Sequence, residues 1–363
     1  MVARFLKGQA TRCLVSKVTP QRAFPEAAIT PLGDVETVDT PQLAQLPLDP
    51  ACEQLRGGSH QGARPYAMML PEILYYPDQN QILTADRRIL EQADQVPIRL
   101  HALDWRPFLG MAVRPLSGLC TTLRSFRDNY YHTLVDQLPL LYLLERWRET
   151  HAHEPTIKLL LAAPLTPAED FFLARLLPPG VEVHPVQAGA LYRMQRYLFV
   201  SFMSRRYSGY LPRDYVAWFR ERAGVAKGGG RRRVFISRKH AVKGRHILNE
   251  DAVMAALAPL GFERISLERM PVAEQIACFA DLECVVAAHG AGLANLLFAS
   301  SASVVELFPQ ATVWPHFYLL SRAGNHRHHH ICHQTARRDD DFSVNMPALR
   351  ATVERVLSRR GET

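Results

Sequence analysis

Hydrophobic positions follow helical and strand-like periods over the last two thirds of the chain and neither over the first third. In residues 128–150, Tyr131, Leu134, Val135, Leu138, Leu141 and Tyr142 recur at steps of three and four, the spacing of an amphipathic helix. Pro139 inside that pattern predicts a kink or an early break. Strands are then predicted at 157–162, 181–183 and 197–202, with helices at 167–177 and 212–223, an alternation that implies α/β layers. The last third is the most regular. Strands are predicted at 233–237, 262–267, 284–288 and 304–308, and helices at 249–261, 271–281 and 291–299. The first of these helices carries Asn249 as N-cap, Glu250 and Asp251 in its first turn and Gly261 at its end. Four strands with three short crossover helices imply a parallel sheet covered on both faces.

The glycine run Gly228-Gly229-Gly230 favours neither helix nor strand and reads as a linker, which divides the chain into domains 1–225 and 226–363, with the C-terminal helix free to return onto the first. A length of 363 residues with 47% hydrophobic content suits two such cores. No apolar run approaches the ~20 residues of a membrane span, and residues 1–10 lack a secretory h-region, so a cytoplasmic location is expected. The six cysteines, at 13, 52, 120, 278, 284 and 332, read as reduced and mostly buried thiols. The histidine-rich run 325–333 reads as a solvated loop without structural zinc. A net charge of +8 calls for an anionic partner: nucleic acid, an acidic membrane surface or a phosphorylated small molecule. With no zinc finger, RNA-recognition signature or basic stripe with interleaved aromatics, nucleic acid is not expected.

In open parallel sheets ligands bind beyond the carboxyl ends of the strands. One such loop carries Arg238, Lys239, His240, Lys243 and Arg245; another reads His289-Gly290-Ala291-Gly292-Leu293. Glycines at 290 and 292 would let backbone amides approach an anion, and the helix after them would add its N-terminal N–H groups. Arg238, then Arg245, would supply a guanidinium fork for phosphate oxygens. Glu306, in a buried strand, needs a partner; a ribose diol or a protein donor would each serve. In the first half, Asn129, His132 and Asp136 share one helix face. Asp136, with His132 as second choice, could remove a proton from an acceptor hydroxyl. The competing reading is an N-cap at Asn129 and a His–Asp pair that orients the helix.

Three segments together resemble glycosyltransferase family 61: Asp128-Asn129-Tyr130-Tyr131-His132 through Asp136-Gln137-Leu138-Pro139; Ile236-Ser237-Arg238 through Arg245 and Asn249-Glu250; and His289-Gly290-Ala291-Gly292-Leu293-Ala294-Asn295-Leu296 through Glu306-Leu307-Phe308-Pro309. The resemblance implies a GT-B fold, two Rossmann-like domains facing across a cleft, with an acceptor-side first domain and a nucleotide-sugar-binding second domain. It implies inverting transfer from a nucleotide-sugar, commonly linked to UDP, to a saccharide or lipid-linked glycan, as in bacterial capsular polysaccharide synthesis, without a metal cofactor. By that likeness Arg238, Arg245 and the loop from Gly290 to Asn295, with Ala291, Gly292 and Leu293, would hold the diphosphate and Glu306 the nucleoside, and Asn249 and His289 would belong to the same donor-binding set. Peripheral contact with the inner face of the membrane fits the charge. The rival readings are a dinucleotide-dependent oxidoreductase, which lacks GxGxxG at a first strand, and a basic nucleic-acid or membrane adaptor.

Overall fold

The computed structural model describes residues 16–35, 37–62, 64–90, 104, 106–108, 111–123, 129–203, 209–241, 244–333 and 340–358. Residues 1–10, Cys13, Asp128 and Lys243, each used in reading the sequence, lie outside them. The fold is α/β with parallel strands in two sheets, and the chain divides into two compact units: Met1–Glu36 with Gly62–Ser208, and Thr37–Gln61 with Gly209–Thr363.

The first unit is built on a nine-stranded mixed sheet. Its central elements are β1 (Tyr66–Tyr76), β2 (Val113–Thr122), α1 (Pro139–Thr150), β3 (Ile157–Ala162), α2 (Pro167–Leu176), β4 (Val181–Val186) and β5 (Leu191–Val200). Strands β5, β2, β3 and β4 run parallel in that order, while β1 pairs antiparallel to β5. The sheet is thereby mixed: β1, from the segment without clear period, enters it in the opposite sense to the α/β strands. Helix α2 starts where its sequence signals a start. Thr166 Oγ1 accepts from Glu169 N at 3.2 Å and Glu169 Oε2 accepts from Thr166 N at 2.8 Å, with Pro167 at the first helical position.

The break expected at Pro139 takes the form of a π-helical turn, Thr133–Gln137, between a short helical turn Tyr130–His132 and α1. Pro139 has no N–H to donate to the carbonyl four residues back, and the Leu138 N–H bonds instead to Thr133 O at 3.0 Å, one residue further than an α-helix allows.

The second unit contains α3 (Arg213–Arg222), β6 (Arg232–Ile236), α4 (Glu250–Leu257), β7 (Phe262–Ile265), α5 (Val272–Ala280), β8 (Leu282–Ala288), β9 (Ser303–Phe308), α6 (His316–Ala323), β10 (Arg327–Cys332) and α7 (Met346–Ser358). The five strands lie in the order β7-β6-β8-β9-β10 and are all parallel. The four predicted strands are present, and Gly261 closes the helix before β7 in the left-handed region at φ 79°. The fifth strand overturns the loop expected at 325–333. Helix α6 ends at Gly324, Asn325 turns the chain at φ 59°, and the histidine run pairs in register with β9, setting His330 opposite Glu306.

Helix α3 belongs with this unit, so the glycine run after it is internal to the unit. Arg220 of α3 donates from Nε to Leu297 O at 2.7 Å and from Nη2 to Ala299 O. The early segment 37–61 also joins it, through a bridge between Leu48 and Val313 and a 2.5 Å hydrogen bond from Tyr318 Oη to Gln42 Oε1. The C-terminal helix α7 covers its own unit's sheet: Leu349, Val353 and Val356 are buried with Val286, Val305, Leu307 and Ile331. None of the described helices is long and apolar enough to cross a membrane. Cys52, Cys120, Cys278 and Cys284 are buried free thiols, as expected.

Candidate functional site

In the second unit the first strand, β6, lies between β7 and β8, so successive crossovers leave it in opposite directions. The carboxyl ends of β6 and β8 therefore flank a switch point, where loops part and leave a crevice. Arg238 leaves the end of β6 and the glycine loop leaves the end of β8.

The two loops meet. Arg238 extends over Gly290 so closely that a β-carbon at 290 would overlap its Nη1, while Nη2 and Nε hold Gly244 O at 2.8 and 3.3 Å. Burial lowers the pKa of Arg238 to about 10, and the neighbouring charge of Arg245 pushes the same way. Arg245 is also lowered by burial, with Asp340 and Glu306 opposing, and its backbone sits at φ 62°, a region costly for a bulky residue. Two half-buried guanidiniums that disfavour each other's charge form a site whose electrostatics an anion would relieve.

Beside them, Ala291–Phe298 forms a 3-10 helix. The N–H groups of Ala291 and Gly292 meet no acceptor among the described residues, as the first donors of a helix do. Each glycine also has a packing reason. Gly290 is extended at φ 174° and serves to admit Arg238; Gly292 leaves room for Leu267, whose Cδ1 would lie 2.6 Å from a β-carbon there.

A pocket lined by Arg245, His289, Phe308, Pro309, Gln310, Trp314 and Asp340 opens at this place. His289 presents its ring edge to it, stacked on Phe308 at a centroid distance of 5.1 Å and edge-on to Phe317 at 5.2 Å. Its Nδ1 bonds to Glu306 Oε1 at 2.6 Å. Glu306 is 1% exposed, and His328 Nε2 stands 3.1 Å from its other oxygen, within ion-pair range though off the line of a good hydrogen bond. Burial would raise the Glu306 pKa, and the two imidazoles outweigh it, holding the carboxyl at about 2. Of the two kinds of partner expected for Glu306, the structure supplies a protein donor.

Three further expected contacts also fall inside the protein. Asn249 caps no helix with its side chain but pairs with the Val344 backbone, Nδ2 to O at 2.9 Å and N to Oδ1 at 2.8 Å. Leu293 is fully buried. Asn295, likewise buried, donates to Gln275 Oε1 and Gly292 O at 3.0 Å, and Gln275 in turn holds the carbonyls of Leu267 and Met270. These residues brace the glycine loop from behind. Lys239 is drawn to Asp251 at 3.0 Å. Sequence reasoning missed Trp314, Gln310, Asp340 and His328; an α/β alternation continued past β9 would have pointed to α6 and β10.

In the first unit, Asn129 Oδ1 accepts from Tyr131 N at 3.1 Å, as an N-cap does, and His132 Nδ1 lies 2.6 Å from Asp136 Oδ2. The Asp136 side chain is 4% exposed and that of His132 21%. The carboxylate is the more buried of the two, and its bond to Nδ1 fixes the orientation of the imidazole. Among the described residues no three His, Cys, Asp or Glu side chains are grouped so as to hold a metal ion.

The family model described as Glycosyltransferase 61 matches residues 130–305, from the His132–Asp136 turn into β9. The chain is similar to an EGF domain-specific O-linked N-acetylglucosamine transferase of Drosophila melanogaster, 36% identical over 78 residues, which cover 20% of this chain and 15% of that protein.

Proposed function

We propose that the chain transfers a sugar, with inversion, from a nucleoside-diphosphate donor, UDP-linked by the family resemblance, to a hydroxyl of a saccharide or lipid-linked glycan. The observation that carries this is the meeting of Arg238, Arg245, His289 and the free N–H groups of Ala291 and Gly292 at one switch point. Charge develops on the departing diphosphate, and preorganised cations and amides favour it most in the transition state. In the GT-B reading, the second unit takes the donor and the first offers the base. His132, oriented by Asp136, removes the acceptor's hydroxyl proton; the oxygen forms its bond to the anomeric carbon as the bond to the diphosphate breaks, and the diphosphate leaves with the electron pair. The arginines and amides supply what a metal would, so transfer persists in a chelator. Work on a surface or capsular glycan at the cytoplasmic face of a membrane suits the charge of +8.

The test is transfer from a panel of nucleoside-diphosphate sugars by the whole chain and by His132→Ala and Asp136→Asn. A general base contributes roughly 10²–10⁴-fold, so kcat should fall by that much in His132→Ala with KM nearly unmoved, and adding Asp136→Asn should cost little more. Wild-type turnover in His132→Ala would remove His132 from the mechanism.

A further inference from the structure

A carboxylate in the middle of β9, between Val305 and Leu307 and fully buried, is costly unless something depends on it. Glu306 Oε1 bonds to His289, and Oε2 lies within ion-pair range, 3.1 Å, of Nε2 of His328, whose Nδ1 is in turn 3.0 Å from Ser321 Oγ on α6. His289 is clamped between Phe308 and Phe317 and lines the pocket. Because an ionised carboxylate can only accept, Nδ1 of His289 carries the hydrogen, and Nε2 is the ring nitrogen left for the pocket.

We infer that Glu306, steadied by His328, is a positioning residue that commits the Nδ1–H of His289, so that Nε2 takes up one proton when a diphosphate binds and donates it in a hydrogen bond to a phosphate oxygen. This rests on the donor reading above and deepens it. The proton comes from solvent and the sole bond formed is N–H. Bound, the imidazolium lies between two anions, the Glu306 carboxylate behind and the diphosphate in front, which is the arrangement that stabilises it. The other charged or titratable groups around the ring are Arg245 and Asp340 on the pocket wall, His316 on α6 at 6.3 Å between centroids, and His328 beyond Glu306. Arg245 opposes the extra charge in the empty pocket, and the incoming diphosphate cancels that opposition.

The experiment is calorimetric titration of the full chain at pH 7 with uridine, guanosine and cytidine diphosphates, in two buffers of different ionisation enthalpy, which counts protons taken up. The wild type should bind one of them with net uptake. Glu306→Gln should lose the uptake and about tenfold in affinity, the size of one charge-assisted hydrogen bond. His289→Gln keeps an N–H near the position of Nε2 but cannot titrate, so it should lose the uptake with a smaller loss of affinity. Uptake unchanged in either variant overturns the inference, as does wild-type binding without uptake. Weaker binding with uptake intact in Glu306→Gln would mark Glu306 as structural only. Should thermal melts show that variant unfolded, His289→Gln decides alone. If the wild type binds none of the three nucleotides, it is the donor reading that has failed, and this inference falls with it.

Discussion

Replacing Gly290 by alanine separates two reasons for a glycine at the site. Its backbone, at φ 174° and ψ 164°, is extended and open to any residue, so the substitution strains no dihedral angle. Its β-carbon would instead occupy the place of Arg238 Nη1 and come within 3.4 Å of Cζ, while the nearest backbone atom, Ala288 O, stays at an ordinary 3.7 Å. The guanidinium is the flexible end of its side chain and yields, by roughly 1 Å, away from the crevice and from Gly244 O. A fork misaligned by that much forfeits most of a charge-assisted hydrogen bond, about 1.5–3 kcal/mol, or roughly 10- to 150-fold in diphosphate affinity. Folding stability should change by less than about 0.5 kcal/mol. Titration with UDP gives the first quantity and a urea melt the second. The decisive measurement is the double-mutant cycle: in an Arg238→Ala background, Gly290→Ala should cost almost nothing, because the group it displaces is already gone. An equal loss in both backgrounds would refute the reasoning and return the glycine's role to the loop amides.

Gly292→Ala should act on stability instead, since its β-carbon would lie 2.6 Å from Leu267 Cδ1; an overpacking cost of about 1–3 kcal/mol in a urea melt is expected, relieved by Leu267→Ala. Arg220→Met should leave the carbonyls of Leu297 and Ala299 unanswered and destabilise by about 3 kcal/mol, and Arg220→Lys, with one ammonium for two acceptors, should recover less than half of that. His326 is fixed as a neutral ring, Nδ1 accepting from Ala302 N at 3.1 Å and Nε2–H donating to Leu296 O at 3.0 Å, and burial lowers its pKa to about 4 from an ordinary 6.5. Between those values the unfolded chain binds the proton and the folded one does not. Its stabilisation is therefore complete above pH 6.5 and lost as pH falls towards 4, by about 3 kcal/mol; urea melts at pH 7.5 and 4.5 measure the drop, and His326→Asn should flatten it.

The strands β6, β8 and β9 were legible because a parallel strand covered on both faces is apolar throughout, and Val234-Phe235-Ile236, Val285-Val286-Ala287-Ala288 and Val304-Val305 leave little else to be. The same rule hid β10. His328 and His330 face the interior beside a buried carboxylate, so the strand is written in polar letters and reads as a loop until its partner is known. Strand β1 was illegible for another reason: its antiparallel pairing with β5 is set by residues far apart in the chain, and its burial on both faces erases the alternation that would have announced it.

At the site, residue types were readable and their assignments were not. Asp136 reads from the sequence either as a base for the acceptor hydroxyl or as half of a His–Asp pair, and Glu306 as partnered by a ribose diol or a protein donor; each is buried against an imidazole, at 2.6 Å in both cases. A carboxylate in that position can fix which ring nitrogen carries hydrogen and stabilise the charged ring once it forms. Sequence shows that a carboxylate and a histidine are near neighbours only when they share a helix face, as His132 and Asp136 do. It cannot show which of the two is shielded, and no spacing joins His289 to Glu306, which meet because β8 and β9 are adjacent in the sheet. In each pair burial shields the carboxylate more than the histidine, and that difference in exposure is written in the packing and not in the spacing.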